Sequence, residues 1–479
     1  MLRAATIGAG YEEEEDMSGT GDRGSTYRRW LAGRTVSVVG LAKSGIAAAR
    51  LVRRLGGRVL ASDSNSLASL PDEVQQLAGD GVRLWTGGHP AAAFEDAELV
   101  VLSPGVPVTL PVLAAVRARG VPVIGELELA WRVMEADFIA VTGTNGKTTT
   151  TALTGELLNR DVHPTLVGGN IGTPLSTHAL EFPADGIVVA EVSSFQLETT
   201  ALFRPRVAAV LNVTPDHLDR HGSFDAYVEA KARIFANQTD TDCTVLNRDD
   251  PVAASLASRV SGRVLWFSRT TLLDHGVFLR DGWIVAKLNG HVEPICPVAE
   301  ITLRGQHNVE NVLAATACAL WTGRAPEAIR RAIGAFRGVA HRIERVRDDR
   351  GVVFFNDSKG TNVASTIKAI ESFTEPLVLI AGGTGKGQDF GPLGAAARGR
   401  VRHAILIGAD RAKLRGPLAE AGAAIEEAPS MEDAVRRARA AARVGDVVLL
   451  SPACASFDMF QNFEHRGEVF KAAVRALVG

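Results

Sequence analysis

Short apolar runs alternate along most of the chain with longer segments in which apolar residues recur at helical spacing. The first apolar run is Val36 to Val39, a helical pattern follows at Ile46 to Leu55, and a second run starts at Arg58. Strands of a parallel sheet are buried on both faces and therefore appear as continuous apolar runs, with helices in between. The alternation predicts an α/β protein built from parallel sheets.

The same alternation continues through the middle and last parts of the chain. Further strands are predicted at Glu98 to Leu102, Phe138 to Val141, Ile187 to Ala190, Val207 to Leu211, Val352 to Asn356, Leu377 to Ala381, Ala404 to Ile407 and Val447 to Leu450. Glycine or a polar residue follows each of these runs directly. Ligands of open parallel sheets bind beyond the carboxyl ends of the strands, so we expect functional sites among these residues.

The distribution of these units over 479 residues indicates three folded domains. We assign residues 33–125 to a Rossmann-like domain, 126–338 to a central domain with a P-loop ATPase-type parallel sheet, and 339–479 to a second Rossmann-like domain. Residues 1–32 contain an acidic run and little apolar sequence, so we expect a disordered tail there. Deletion of residues 1–30 should then leave activity nearly unchanged.

The composition excludes several classes of protein. A formal net charge of −2 gives no reason to expect nucleic acid as a partner, and no apolar run approaches the roughly 20 residues that span a bilayer. The four cysteines form no CxxC pair, which argues against a zinc site or a disulfide framework. No basic segment leads into an apolar core near the start, so no secretory signal is expected. We expect a monomer in the reduced, cytoplasmic compartment.

A glycine-rich loop lies at residues 142–149, Thr-Gly-Thr-Asn-Gly-Lys-Thr-Thr, between a predicted strand and a predicted helix. This is the context of a phosphate-binding loop. Backbone N–H groups and the helix N-terminus supply partial positive charge, Lys147 adds a full charge, and the Thr148 hydroxyl is placed to reach Mg²⁺. Val141 stands where the usual first glycine occurs, so the motif is a shortened variant. The loop predicts an ATP site, with a Gly/Thr-rich turn as the alternative.

Three further residues of the central domain have side chains suited to this chemistry. Glu191 follows a predicted strand, where its carboxylate suits Mg²⁺ as well as it suits a helix cap or a surface salt bridge. His217 suits a metal ligand or an ordinary loop histidine, and Lys231 taken alone is typical of a solvated lysine on a helix. Their occurrence beside the glycine-rich loop favours the site interpretation.

The two outer domains carry weaker patterns. Residues 40–45 form a glycine turn after the first strand, and Asp63 ends the next strand, as in nucleotide-binding units. Alanine replaces the middle glycine of GxGxxG, so the turn does not indicate a redox cofactor. In the last domain Arg342, Lys359 and Lys386 are explained either by a pocket for anionic groups or by surface salt bridges.

Five segments together resemble the Mur ligases, the ATP-dependent amide-bond-forming enzymes of peptidoglycan precursor synthesis. These segments are GLAKSG from Gly40, EVSSFQLE from Glu191, NVTPDHLDRHGSFDAYVEAK from Asn212, NDSKGTN from Asn356 and SPACASFDMFQNFEHRG from Ser451. The resemblance runs from about Thr35 to the C-terminus. On these segments it implies addition of D-glutamate to UDP-N-acetylmuramoyl-L-alanine, whereas the diaminopimelate- or lysine-adding relatives would have a histidine where Phe195 stands and a DNPR-type motif.

The resemblance also implies roles for individual residues. ATP would contact Gly143, Thr144, Asn145, Gly146, Lys147, Thr148, Thr149, Asn308, Asn311, Arg342 and Asp357. Two Mg²⁺ ions would be held by Thr148, Glu191, His217 and a carbamylated Lys231. UDP-N-acetylmuramoyl-L-alanine, the acceptor of the amino acid, would contact Ser44, Asp63, Ser64, Ser103 and Gly105 at its uridine diphosphate end and Asn170, Thr173 and His217 at its muramoyl-alanine end. D-Glutamate would bind Lys386, Thr361, Ser456 and Phe463, with Lys359 also in substrate binding. The catalytic set would be Lys147, Glu191, His217, Lys231 and Lys386.

The implied chemistry proceeds through an activated acyl group. A carboxylate is a poor acyl donor, so the alanine carboxylate first attacks the γ-phosphate of ATP and gives an acyl phosphate and ADP. The amine of D-glutamate then attacks, and phosphate leaves. Water would destroy the acyl phosphate, so we expect the last domain to close during the reaction. An amide ligase for another amino acid and a non-catalytic ATP switch remain the alternatives.

Overall fold

The computed structural model describes residues 23–158, 164–385 and 387–477. The described residues contain three sheets with mainly parallel strands, flanked by helices. The predicted α/β class with three sheet-containing parts is therefore confirmed. Each sheet is built from one continuous stretch of the chain, because every crossover between neighbouring parallel strands is short enough to stay within its own domain.

The first sheet has five parallel strands in the order β3-β2-β1-β4-β5. Its strands are β1 Thr35–Val39, β2 Arg58–Asp63, β3 Arg83–Thr86, β4 Leu99–Leu102 and β5 Val123–Gly125. The helices of this region are α1 Arg23–Leu31, α2 Lys43–Arg54, α3 Asp72–Gly79 and α4 Pro111–Ala118. The strand order reverses between β1 and β4, which creates a crevice at their carboxyl ends.

The second sheet has nine strands in the order β14-β13-β12-β11-β10-β9-β6-β8-β7. Its strands are β6 Asp137–Thr142, β7 Thr165–Gly169, β8 Ile187–Glu191, β9 Val207–Val210, β10 Cys243–Asn247, β11 Arg263–Ser268, β12 Gly276–Arg280, β13 Trp283–Leu288 and β14 His291–Pro297. Its helices are α5 Glu126–Val133, α6 Lys147–Leu158, α7 Ser194–Leu197, α8 Leu218–His221, α9 Phe224–Ala232, α10 Pro251–Ser255, α11 Gln306–Trp321 and α12 Pro326–Ala335. Strand β6 pairs with β8 and β9 on its two sides, so the segments that follow these three strands are neighbours.

The third sheet has six strands in the order β15-β16-β20-β17-β18-β19, and only β15 is antiparallel to its neighbour. Its strands are β15 Glu344–Asp349, β16 Val352–Asn356, β17 Leu377–Gly382, β18 Val401–Ile407, β19 Ala424–Glu427 and β20 Val447–Leu450. Its helices are α13 Val363–Glu371, α14 Gly391–Ala397, α15 Arg411–Glu420, α16 Met431–Ala441 and α17 Phe463–Arg475. The loops after β16, β20 and β17 share one edge of this sheet.

The described residues divide into two compact units. The first lies within Met1–Glu300 and Val309–Ile333, and the second within Ile301–Asn308 and Gly334–Gly479. In the first unit the two sheets share one hydrophobic core, which contains Val36 from β1 and Phe138 from β6. The segment 301–308, which we had assigned to the central domain, belongs to the second unit.

Residues 23–31 form helix α1, so the prediction of a disordered tail is wrong for this part; residues 1–22 lie outside the described chain. Tyr27 and Leu31 are fully buried. The guanidinium of Arg23 donates to the carbonyl of Met134 at 2.6 Å, and that of Arg28 donates to Val133 at 3.0 Å. These bonds satisfy carbonyls at the end of α5, which have no partner within their own helix.

Replacement of Tyr27 with alanine should lower the free energy of unfolding by about 3 kcal/mol, because a large buried side chain is removed. The Tyr27 ring stacks on Trp30 at 5.2 Å, and the Arg132 guanidinium lies 5.2 Å from its centre. Urea unfolding of the variant measures the loss. Arg29→Ala, on the exposed side of the same helix, is the control and should change stability by less than about 0.5 kcal/mol. Equal stability of both variants would contradict the packing role of α1.

Candidate functional site

The glycine-rich loop has the geometry that phosphate binding requires. Strand β6 ends at Thr142 and α6 begins at Lys147, so the loop leads directly into a helix N-terminus. Gly146 has a φ of 86°, and a Cβ there would lie 2.3 Å from Oδ1 of Asn311. Gly143 also has a positive φ, 153°. Side chains are therefore excluded at both positions, which leaves the backbone open to a phosphate.

Asn212, just after β9, fixes the shape of this loop. Its backbone carbonyl accepts from the N–H of Thr144 at 2.9 Å, and its Oδ1 accepts from the N–H of Asn145 at 2.8 Å. Its Nδ2 donates back to the carbonyl of Asn145 at 3.1 Å. Polar residues that follow a parallel strand are expected to meet the glycine-rich loop, and Asn212 does so.

Two lysines converge on the carbonyl of Gly143. Lys147 Nζ donates to this oxygen at 2.7 Å and to the carbonyl of Thr144 at 3.0 Å, while Lys231 Nζ donates to the Gly143 oxygen at 2.9 Å. Lys231 is 1% exposed and lies 4.5 Å from the centre of the Tyr227 ring. The interpretation of Lys231 as a solvated lysine is therefore wrong. Burial and the nearby charge of Lys147 lower the pKa of Lys231 to about 7.

Glu191, the last residue of β8, is buried, and one of its two carboxylate oxygens has a hydrogen-bond partner among the described residues. Its Oε1 accepts from Asn170 Nδ2 at 2.8 Å, and its Oε2 is buried without a hydrogen-bond partner among the described residues. A buried carboxylate oxygen with no donor suits a cation ligand, and it excludes the alternative of a surface salt bridge. Thr148, at the start of α6, is buried as well. The chemistry of these two residues, a carboxylate oxygen and a hydroxyl, therefore fits the oxygen ligands that Mg²⁺ prefers.

His217 is less enclosed than the other predicted ligands. Its side chain is 51% exposed, its backbone is left-handed with a φ of 51°, and its Nε2 lies 3.6 Å from a carboxylate oxygen of Asp216. Within the described ranges, no three His, Cys, Asp or Glu side chains converge into a metal site of their own. His217 lies on the ring of Phe195, with the two ring centres 5.0 Å apart.

The remaining predicted residues of the central domain lie around the same loop. Thr149 is buried in α6, and Asn311 accepts from the Thr150 hydroxyl at 3.2 Å. Asn170 lies beside Glu191, and the exposed Thr173 bonds to His178 Nε2 at 2.8 Å. These contacts place the predicted ATP and muramoyl-alanine residues of this domain at the carboxyl edge of one sheet.

In the first domain the predicted residues border the crevice between β1 and β4. Asp63 accepts from the N–H of Leu41 at 2.6 Å, and the Ser103 hydroxyl donates to the carbonyl of Gly40 at 2.7 Å. The glycine turn is thereby tied to the ends of β2 and β4. Ser44 lies half-buried in the first turn of α2, while Ser64 and Gly105 are exposed.

The second unit brings together residues from the loops after β16 and β20. Asp357 accepts from the Ser451 hydroxyl at 2.7 Å, and its burial raises its pKa to about 7. The N–H of Lys359 donates to His341, the neighbour of the exposed Arg342, and Lys359 Nζ lies 5.6 Å from the centre of the Phe463 ring. The other predicted residues of this unit are the half-buried Thr361, the buried Ser456, and Asn308, which donates to the carbonyl of Arg304 at 2.6 Å.

A buried arginine that sequence reasoning missed holds these two loops together. Arg466 is fully buried and donates to the hydroxyl of Ser358 at 2.9 Å, to its carbonyl at 2.8 Å and to the carbonyl of Cys454 at 3.0 Å. Lys386 lies outside the described residues. Thr384, two residues before it, exchanges two backbone hydrogen bonds with Ala455.

Comparison with known proteins decides the family. The Mur ligase MurD-like N-terminal domain matches residues 34–125, the Mur ligase middle domain 141–319, and the Mur ligase glutamate ligase domain 341–454. The UDP-N-acetylmuramoylalanine--D-glutamate ligase of Koribacter versatilis is 47% identical over 93% of this chain and 98% of its own. That of Pelotomaculum thermopropionicum is 48% identical with the same coverage. This chain belongs to the Mur ligase family.

Solved structures agree on the fold. The UDP-N-acetylmuramate-alanine ligase MurC of Thermotoga maritima has a TM-score of 0.59 at 19% identity and covers 92% of this chain and 99% of its own. The MurF ligase of Thermotoga maritima in complex with ADP has a TM-score of 0.55 at 16% identity and covers 94% and 99%. The three-domain architecture of this Mur ligase is therefore that of solved relatives. Among its described residues, no helix is long and apolar enough to cross a membrane.

Proposed function

We propose that this Mur ligase adds D-glutamate to UDP-N-acetylmuramoyl-L-alanine at the expense of ATP, through an acyl phosphate. The observation that carries the proposal is the identity of 43–48% over nearly the whole chain with relatives that bear the name of that activity. At such identity and coverage, the substrate-binding loops of all three domains are included in the comparison.

The central domain is proposed to bind ATP. Backbone N–H groups of residues 143–146 donate to the phosphates, and Lys147, which donates to the carbonyls of Gly143 and Thr144, supplies a full positive charge beside them. Positive groups fixed in advance stabilise the charge that spreads over the phosphoryl group during transfer. The Asn212 bonds keep the loop in this shape before ATP arrives.

Glu191 and Thr148 are proposed to hold Mg²⁺, with His217 and a carbamylated Lys231 as further ligands. When bound, Mg²⁺ would neutralise phosphate charge and orient the γ-phosphate. The support for this set is the unpartnered Oε2 of Glu191 and the burial of Lys231 beside Lys147. Lys147 and Lys231 donate to the same carbonyl oxygen, so their two side-chain nitrogens are close together. A positive charge on Lys231 beside that of Lys147 is therefore electrostatically unfavourable.

Carbamylation reverses the charge at Lys231. The Nζ lone pair attacks the carbon of CO₂, an N–C bond forms, and the nitrogen releases one proton, which leaves a carbamate anion. Because burial lowers the pKa of Lys231 to about 7, the neutral amine that this step needs is far more populated there than at an exposed lysine. The resulting oxygen atoms are the hard ligands that Mg²⁺ prefers.

The outer domains are proposed to bind the two other substrates. The crevice around Ser103, Asp63 and the turn 40–45 takes the uridine diphosphate end of the acceptor, at the strand-order reversal. In the last domain, Lys359, Thr361, Ser456, Phe463 and Lys386 receive D-glutamate, while Asn308, Arg342 and Asp357 contact the nucleotide. We further propose a cytoplasmic monomer, which agrees with four free, buried cysteines.

Release of ADP tests this proposal. Purified enzyme with ATP, Mg²⁺ and UDP-N-acetylmuramoyl-L-alanine is offered single amino acids, and ADP is measured with a coupled assay. We expect ADP formation to require both the acceptor and D-glutamate. Comparable turnover with meso-diaminopimelate, L-lysine or L-glutamate would contradict the proposed amino-acid specificity.

A further inference from the structure

A cluster of side chains behind His217 has no role in the reaction described above. It consists of Ser194, Phe195, Glu198, Arg220 and His221, and we refer to it as the Glu198 cluster. Its members come from helix α7, the residue that follows it, and helix α8. The cluster lies in the first unit, within the same body as both acceptor-binding regions.

Glu198 is the centre of this cluster. One carboxylate oxygen lies 3.1 Å from Nδ1 of His221, and the other accepts from the Arg220 guanidinium at 3.4 Å. His221 Nε2 is 3.0 Å from the Ser194 hydroxyl, and the histidine side chain is only 2% exposed. The one carboxylate of Glu198 thus lies against both Arg220 and His221.

The cluster fixes the ring on which His217 lies. The His221 ring stacks on Phe195 at 5.4 Å with an interplanar angle of 22°, and the Arg220 guanidinium lies 4.9 Å from the centre of the Phe195 ring. His217 contacts the same phenylalanine at 5.0 Å. The half-exposed His217 thus shares the Phe195 ring with His221 and Arg220 as a common contact.

Arg220 also reaches the loop of the first domain. Its Nη2 donates to the carbonyl of Val106 at 3.1 Å, in the loop after β4 that contains Ser103 and Gly105. The Val106 side chain packs closely on the glycine turn, since a Cβ on Gly40 would lie 2.7 Å from its Cγ2. One guanidinium thus connects the loop at the nucleotide end of the acceptor site with the cluster that supports His217.

We infer that Arg220 and Glu198 are positioning residues that fix the distance between the two ends of the acceptor site. This inference rests on the proposed function, in which one acceptor molecule spans from the crevice near Ser103 to His217. A ligand that contacts only the crevice does not depend on that distance. A ligand that contacts both ends binds tightly only when the two ends are held in register.

Two ligands separate these cases in a binding experiment. Isothermal titration calorimetry measures the affinity of the full chain for UDP and for UDP-N-acetylmuramoyl-L-alanine, in wild type, Arg220→Gln and Glu198→Gln. We expect UDP affinity to change less than twofold and acceptor affinity to fall about tenfold in each variant. The double variant should lose little more than either single one, because both substitutions break the same connection.

Arg259→Gln is the matched control, because Arg259 forms a bidentate surface ion pair with Glu229 in the same domain. It should leave both affinities unchanged. Thermal melting checks the fold of each variant, and Arg220→Lys, which retains the charge, replaces Arg220→Gln should the latter not fold. Acceptor affinity equal to that of wild type, or an equal loss for UDP and acceptor, would overturn the inference. Wild-type enzyme that binds UDP but not the acceptor would contradict the proposed function itself.

Discussion

Replacement of Lys147 with alanine should reduce ADP formation by about 10²–10³-fold without unfolding the protein. Lys147 supplies a full positive charge to the phosphate loop, and its Nζ already lies 2.7 Å from a loop carbonyl. The charge that develops on the transferred phosphoryl group would lose its nearest cationic partner. A coupled ADP assay with saturating acceptor and D-glutamate measures the effect, and circular dichroism confirms the fold.

Lys287→Ala provides a matched control for this experiment. Lys287 pairs with Asp274 on the surface of the same domain, at 2.9 Å, and its loss removes the same charge from the protein. Surface ion pairs contribute little to stability, so activity and melting temperature should stay at wild-type values. A folded Lys147→Ala variant with near-normal ADP formation would show that ATP does not bind at this loop.

Lys231→Ala should also lose about 10²–10³-fold in activity, and added short carboxylic acids should restore part of it. Removal of a buried side chain that contacts Gly143 leaves space beside the phosphate loop. Acetate or formate in that space would supply the carboxylate-like oxygen that we propose a carbamate on Lys231 to provide. Full activity of the variant without any added acid would contradict the carbamate role.

A spectroscopic experiment tests for the proposed carbamate independently of activity. With ¹³C-labelled bicarbonate, wild-type enzyme and Lys287→Ala should both show a carbamate carbon resonance in the NMR spectrum. Lys231→Ala should lack that resonance. A resonance that persists in Lys231→Ala would place the modification on another amine.

The strands of the sheets and the glycine-rich loop can be predicted from the local sequence. Strands such as β6 are continuous apolar runs, because parallel strands are covered on both faces, and the loop at residues 142–149 is defined by local glycine and threonine positions. Each of these features depends on neighbours in sequence. Such features are therefore accessible without knowledge of the tertiary structure.

Features that depend on distant contacts are not accessible from the local sequence alone. Lys231 has the sequence pattern of an exposed helical lysine, and its burial follows from packing against Gly143, 88 residues away. Arginine is a residue type typical of the surface, so the sequence does not indicate that Arg466 is buried. Its guanidinium joins two loops through three buried hydrogen bonds. Helix α1 was overlooked because only Tyr27 and Leu31 show its buried face, and the core that receives them comes mainly from later segments.

The stereochemistry of the added amino acid tests the central claim most directly. An equimolar mixture of ¹³C-labelled D-glutamate and unlabelled L-glutamate is offered with ATP and UDP-N-acetylmuramoyl-L-alanine, and mass spectrometry identifies the nucleotide product. The account predicts a product that carries one labelled glutamate, in an amount equal to the ADP formed. An unlabelled product of similar abundance, or ADP formation without any coupled product, would contradict it.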